Sequence, residues 1–140
     1  MELEIQKADD LISISMEGIL RFQEKNPKYQ SLIKDWNKNI IINITDIYPV
    51  TVSFSGLSVA FNIGESANPD LKVSMSLGTL LNIANKRLNL VLAVLSGKLK
   101  IKGIFRIGVL LKFYQIFLIP LQKISKQSNT RYFEVYKETR

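Results

Sequence analysis

Between Ile40 and Ile63 the chain alternates apolar and polar residues in three consecutive runs, and few folds accept that pattern. Ile40, Ile42 and Ile44 form the first run, Val50, Val52 and Phe54 the second, and Leu57, Val59, Phe61 and Ile63 the third. Side chains of a strand point alternately to opposite faces, so this periodicity describes strands with one face on a core. Turn-forming residues at Asp46 to Pro49 and at Ser55-Gly56 separate the runs. Connections so short join antiparallel neighbours. After a loop over Gly64 to Asp70, Leu71, Val73 and Met75 give a fourth strand. Lys98-Leu99-Lys100-Ile101-Lys102 gives a fifth, with Leu99 and Ile101 inward and three lysines outward. Lysines in that arrangement suit the edge of a sheet, where they discourage further pairing.

Helical spacing occupies the flanks. Leu11/Ile12, Met16 and Ile19/Leu20 put one apolar face on a helix from about Lys7 to Glu24. Asn26-Pro27 supplies a cap followed by proline at the first helical position, and Tyr29, Leu32, Ile33 and Trp36 then recur at helical intervals. Trp36 is expected in the core. Ser76 caps a helix bearing Leu77, Leu80/Leu81 and Ala84, and Leu88 to Leu95 is nearly all apolar. Ile104 to Leu121 is the most apolar stretch of all. It is barely long enough to cross a bilayer, carries Arg106 and Lys112, and ends at Pro120. It reads as a helix with an unusually wide apolar face that is buried, lies on a membrane, or covers a cavity. The expected organisation is one α+β domain over residues 1–120: a mostly antiparallel sheet of about five strands with helices on one face. A basic tail over 121–140, with Tyr132, Phe133 and Tyr136, is left unplaced.

The chain has no cysteine and no histidine. It therefore lacks a thiol nucleophile, the commonest general base and the commonest transition-metal ligands. No pair of carboxylates sits at a catalytic spacing, so an enzyme is not expected, nor any cofactor or metal. The net charge of +7 is distributed unevenly. Residues 1–70 carry ten acidic and six basic side chains, residues 71–140 thirteen basic and two acidic, and no Asp or Glu falls between Leu71 and Phe133. Such a field favours an anionic partner, with a membrane surface ahead of nucleic acid because the basic residues match no nucleic-acid motif. Met1 to Lys7 is polar and holds no signal-peptide core, which gives a cytoplasmic expectation.

The stretch from Leu71 to Leu111 resembles the sterol carrier protein type-two family. A short strand over Leu71 to Met75 leads through Ser76 to a leucine-rich helix. The apolar run Leu88 to Leu95 follows, then Gly97-Lys98-Leu99-Lys100-Ile101-Lys102-Gly103, then the last apolar helix. With the upstream helices and strands, the likeness covers about residues 5 to 120. It implies an apolar tunnel between sheet and helices that holds fatty acyl, acyl-CoA, isoprenoid or sterol-like ligands. It also implies that Val91, Leu95, Phe105, Val109, Leu110, Phe113 and Phe117 line that tunnel; by charge alone, Lys112, Arg106 and Lys98 are the candidates to meet a carboxylate or phosphate at its mouth, with Lys112 put first. Leu77 to Thr79, Val91 and Lys112 stand where many relatives carry acidic or glutamine residues, so headgroup recognition does not carry over. The expected function is lipid binding and transfer. The alternative is an accessory or dimerisation module assisting a lipid- or quinone-pathway enzyme, with a homodimer as one way to cover the last helix.

Overall fold

The computed structural model describes residues 3–103 and 106–127. Its elements in chain order are β1 (Glu4–Gln6), α1 (Leu11–Phe22), α2 (Pro27–Ile33), β2 (Asn37–Ile44), β3 (Pro49–Ser55), β4 (Ser58–Ile63), β5 (Leu71–Met75), α3 (Leu77–Ala84), α4 (Leu90–Leu95), β6 (Leu99–Lys102) and α5 (Ile107–Phe113). The fold is α+β, as the alternation requires, with one sheet in the order β1-β4-β3-β2-β5-β6. The sheet has six strands rather than five. The additional one is β1, which pairs in parallel with β4 through Glu4, Ile5 and Gln6. β2–β3, β3–β4 and β5–β6 are antiparallel, while β2–β5 is parallel.

The registers explain the alternation. Ile40, Ile42 and Ile44 stand beside Val52, Val50, Leu71, Val73 and Met75 on one face of the sheet. All of them are buried, in one core with Met16 and Leu20 of α1, Ile83 of α3 and Ala93 of α4. The opposite face carries mostly polar residues, Asn43, Ser53, Lys72, Ser74 and Lys100, with Ile41 and Thr51 buried among them. The signature around β6 has a backbone reason. Gly97 and Gly103 both adopt positive φ, and a Cβ on Gly103 would sit 2.9 Å from the Asp70 carbonyl oxygen.

Side chains cap the first four helices. Asn26, Ser76 and Asn89 accept hydrogen bonds from backbone N–H groups in the first turns of α2, α3 and α4. On α1 the Asp10 carboxylate accepts from the Ser13 N–H at 3.1 Å and from the Tyr48 hydroxyl at 2.6 Å. Partial burial disfavours its charged form, but these hydrogen bonds prevail and lower its pKa. The stabilisation is therefore present above the ordinary carboxylate range and fades as pH falls through the lowered value. Asp10→Ala should cost about 1 kcal/mol at neutral pH. The gap to the parent should narrow in denaturant titrations taken into acid, while Asp10→Asn should keep the cap and lose the pH dependence.

The last helix departs from the expected boundary. α5 runs directly into a π-helical turn (Tyr114–Leu118), and the helix continues to Gln127. Residue 120, set as the end of the domain from sequence, thus falls inside it. Proline has no N–H to offer the carbonyl four residues back. Here the Ile119 N–H bonds the Tyr114 carbonyl in the π pattern, and the Tyr29 hydroxyl donates to the Ile116 carbonyl at 3.0 Å. A distant side chain thus supplies the donor that Pro120 lacks. By length and hydropathy this helix is sufficient to span a membrane. In the fold, one face, with Val109, Phe113, Ile116, Phe117 and Leu118, is buried. The aromatic residues Tyr132, Phe133 and Tyr136 lie outside the described residues.

Candidate functional site

Aromatic rings occupy the space between the sheet and the last helix. Trp36 packs on Phe54 of β3 with centroids 4.9 Å apart, Phe54 meets Phe117 edge-on at 6.0 Å, and Phe117 meets Phe113 at 5.4 Å. Offset and tilted pairs of this kind add to the stabilisation of their burial. Phe113 and Phe117, expected as lining, therefore belong to this packed layer, and Val109 is buried beside it.

Open space lies on the other side of α5. A groove of about 650 Å³ runs between the start of α4 and the outer face of the last helix. Leu88, Leu90 and Val91 form one wall, and Ile107, Leu110, Leu111 and Tyr114 the other. Among the described residues, its polar groups are Lys86, Asn89, Gln122 and the Tyr114 hydroxyl. The volume lies within the ~300–1,000 Å³ typical of ligand pockets, and an apolar wall with a few polar groups is the usual composition. The groove is partly open to solvent.

Local structure explains both walls. Asn89 caps α4 by accepting from the Val91 N–H at 2.7 Å, which starts a helix so short that only Ala93 is fully buried. On the far wall, Arg106 pairs with Asp70 at 2.7 Å, and Asp70 also accepts from the Asn39 N–H at 2.9 Å. The beginning of the last helix is thereby tied to the sheet. Farther along, Gln122 donates to the Ile83 carbonyl at 3.2 Å and Ser125 bonds Asn85, fastening the helix to α3.

Of the residues expected from sequence, the groove brings together Val91 and Leu110. Leu95 is 77% exposed on the same side of α4 but outside the groove lining. Phe105 lies outside the described residues. Lys112 is engaged elsewhere: its ammonium donates to the Leu32 carbonyl at the end of α2 at 3.0 Å and sits 5.8 Å from the Trp36 ring centroid. It serves as a helix C-terminal cap and a cation over an aromatic face. Among the described residues that line the groove, Lys86 is the cation. It had no sequence signal beyond membership of the loop between two apolar runs. Its left-handed backbone, φ 58°, is visible only in three dimensions. Among the described residues no cluster of three or more potential metal ligands occurs.

Residues 18–117 match the SCP-2 sterol transfer family. The chain belongs to this family. SCP-2 domains are, in general, lipid-binding and lipid-transfer modules without catalytic machinery of their own. Solved structures agree on the fold. The SCP-2 chain superposes on the UbiJ-SCP2 ubiquinone synthesis protein with a TM-score of 0.58 at 17% identity, covering 82% of this chain and 91% of that one. The sterol carrier protein domain 2 of Helicoverpa armigera gives 0.52 at 18% identity, covering 81% and 87%. The stereoselective inverting sec-alkylsulfatase Pisa1 from Pseudomonas sp. gives 0.52 at 18%, covering 63% of this chain. The chain spans only 14% of that enzyme's length, so the SCP-2 fold also occurs as part of a far larger protein. No curated protein matches the chain in sequence.

Proposed function

We propose that this SCP-2 domain binds a long apolar molecule, an acyl or isoprenoid chain, in the groove between α4 and the last helix. The observation that carries the reading is that Val91, Ile107 and Leu111 stay more than half exposed around a groove large enough for a ligand. Apolar surface left open on two facing helices gains by being covered, at about 0.8 kcal/mol for each CH₂ removed from water. Such recognition needs no dense hydrogen bonding, so chain length and shape set the selectivity. Lys86 is the group placed to meet a carboxylate or phosphate at one end.

Protein purified under native conditions should release a lipid on solvent extraction, identifiable by mass spectrometry. A fluorescent fatty acid should bind and be displaced by that lipid. Leu110→Asn should weaken this binding about tenfold through the loss of one apolar wall residue. Empty protein that takes up no fatty acid, acyl-CoA or isoprenoid would remove the basis of the proposal.

A second reading is supported by the fold shared with a ubiquinone synthesis protein over most of both chains. In it the domain is an accessory module that holds a prenylated intermediate for a partner enzyme. An isoprenoid quinone precursor among the extracted lipids, with an enzyme that co-purifies, would favour this reading over free transfer.

A further inference from the structure

α4 presents an apolar face to solvent. Val91, Leu92 and Leu95 are 64%, 58% and 77% exposed and lie within one third of the helix circumference, opposite the buried Ala93. Ile107 and Leu111, across the groove from Val91, continue the patch and are 71% and 55% exposed. Exposed leucines at this density are not the ordinary scatter of a soluble surface. Cations bracket them. Lys86 and Arg87 lie in the loop before α4 and Lys98 in the turn after it, all exposed. Among the described residues none of the three is held in an ion pair. No carboxylate lies in this part of the chain, since Asp and Glu are absent from Leu71 through Phe133.

We propose that the α4 face, with its flanking Lys86, Arg87 and Lys98, docks on an anionic phospholipid bilayer. The leucines would enter the boundary between headgroups and acyl chains while the cations remain among the phosphates. The charge distribution selects this occupant. A second copy on the same face would set the unpaired cations against their own kind, whereas a bilayer carrying negative lipid supplies the missing sign. The surface deepens the groove reading, because the mouth formed by Val91, Ile107 and Leu111 would face the bilayer and a lipid chain could pass without crossing water. Docking itself needs no ligand in the groove.

Sedimentation of the full chain with ligand-free vesicles tests the proposal. Vesicles of phosphatidylcholine mixed with phosphatidylserine should retain the protein, and phosphatidylcholine alone should retain far less. Retention should fall as salt rises. Arg87→Gln with Lys98→Gln should weaken vesicle binding about twenty-five-fold, from about fivefold per cation. Leu92→Ser with Leu95→Ser should weaken it at least about tenfold. All four positions are exposed and outside the groove lining, so fatty-acid binding without vesicles should survive in both variants. Equal retention by neutral and anionic vesicles, unchanged binding in the variants, or no binding at all would overturn the proposal. So would self-association in sedimentation velocity that the leucine variant abolishes. Vesicle binding by a chain that takes up no lipid would leave docking intact and defeat the groove reading instead.

Discussion

Phe117→Ala should lower stability by about 3–5 kcal/mol, a large share of the ~5–15 kcal/mol that holds a domain folded. Phe117 is 3% exposed and joins Phe54 of the sheet to Phe113 of the same helix, so truncation opens a cavity at the junction of the two layers. Its neighbours are themselves ring-packed and have little freedom to collapse into the space. The midpoint of thermal unfolding should fall by roughly 10–20 °C. Phe117→Leu, which keeps most of the volume, should cost far less. The comparison also separates core from ligand wall. A wall residue would leave the unliganded protein nearly as stable and weaken lipid binding. Phe117→Ala should unfold the protein earlier, while the fraction still folded binds a fluorescent fatty acid as before. Leu95→Ala, at an exposed position, should change stability by no more than ~0.5 kcal/mol.

Tyr29→Phe should cost about 1–3 kcal/mol although it removes a single oxygen. The Ile116 carbonyl is buried in the last helix, Pro120 cannot donate to it, and the Tyr29 hydroxyl does. The decisive variant is the double one. Pro120→Ala restores a backbone N–H four residues beyond Ile116, so Tyr29→Phe should be much milder in that background, by about 1 kcal/mol or more in a double-mutant cycle. Equal costs in both backgrounds would show that the hydroxyl does not compensate for the proline. Burial also pushes the Tyr29 phenol above its ordinary pKa of 10.0. The folded state retains the proton that the unfolded chain releases. The stabilisation is complete below about pH 10 and is lost as pH climbs toward the raised value. The Phe variant should lack that part of the alkaline destabilisation.

The strands β2 to β6 and the caps Asn26 and Ser76 are legible in the amino-acid sequence because their causes are local; the parallel pairing of β5 with β2 and the caps Asp10 and Asn89 are not. Alternation at Ile40 to Ile44, a turn at Ser55-Gly56, and Asn26 before Pro27 each act within a few residues. β1 escapes because it is three residues long and offers only Ile5 as a partly buried apolar side chain packed against the core; β4, far along the chain, makes it a strand. The last helix passes Pro120 for a similar reason, since its compensating hydroxyl lies 87 residues away.

The candidate site is less legible than the fold. Helical periodicity identifies Phe113, Phe117 and Leu110 as apolar alike, but cannot say that a sheet covers the first two and that the third borders open space. The π turn adds to the difficulty. An extra residue in one turn rotates everything after Tyr114 by about 100° relative to a straight helical wheel. Lys112 was expected at a headgroup because it is a cation in the last apolar helix. The carbonyl it caps belongs to α2, which no pattern within the last helix could reveal.

The sheet order also sorts its pairings by entropic cost. β2, β3 and β4 are joined by tight turns and close with short loops, whereas β1 must find β4 across some fifty intervening residues. Among the described residues, three pairs hold β1 once it arrives. In local opening it is therefore the strand released at least expense, leaving one edge of β4 with unbonded amides while the meander beside it stays zipped.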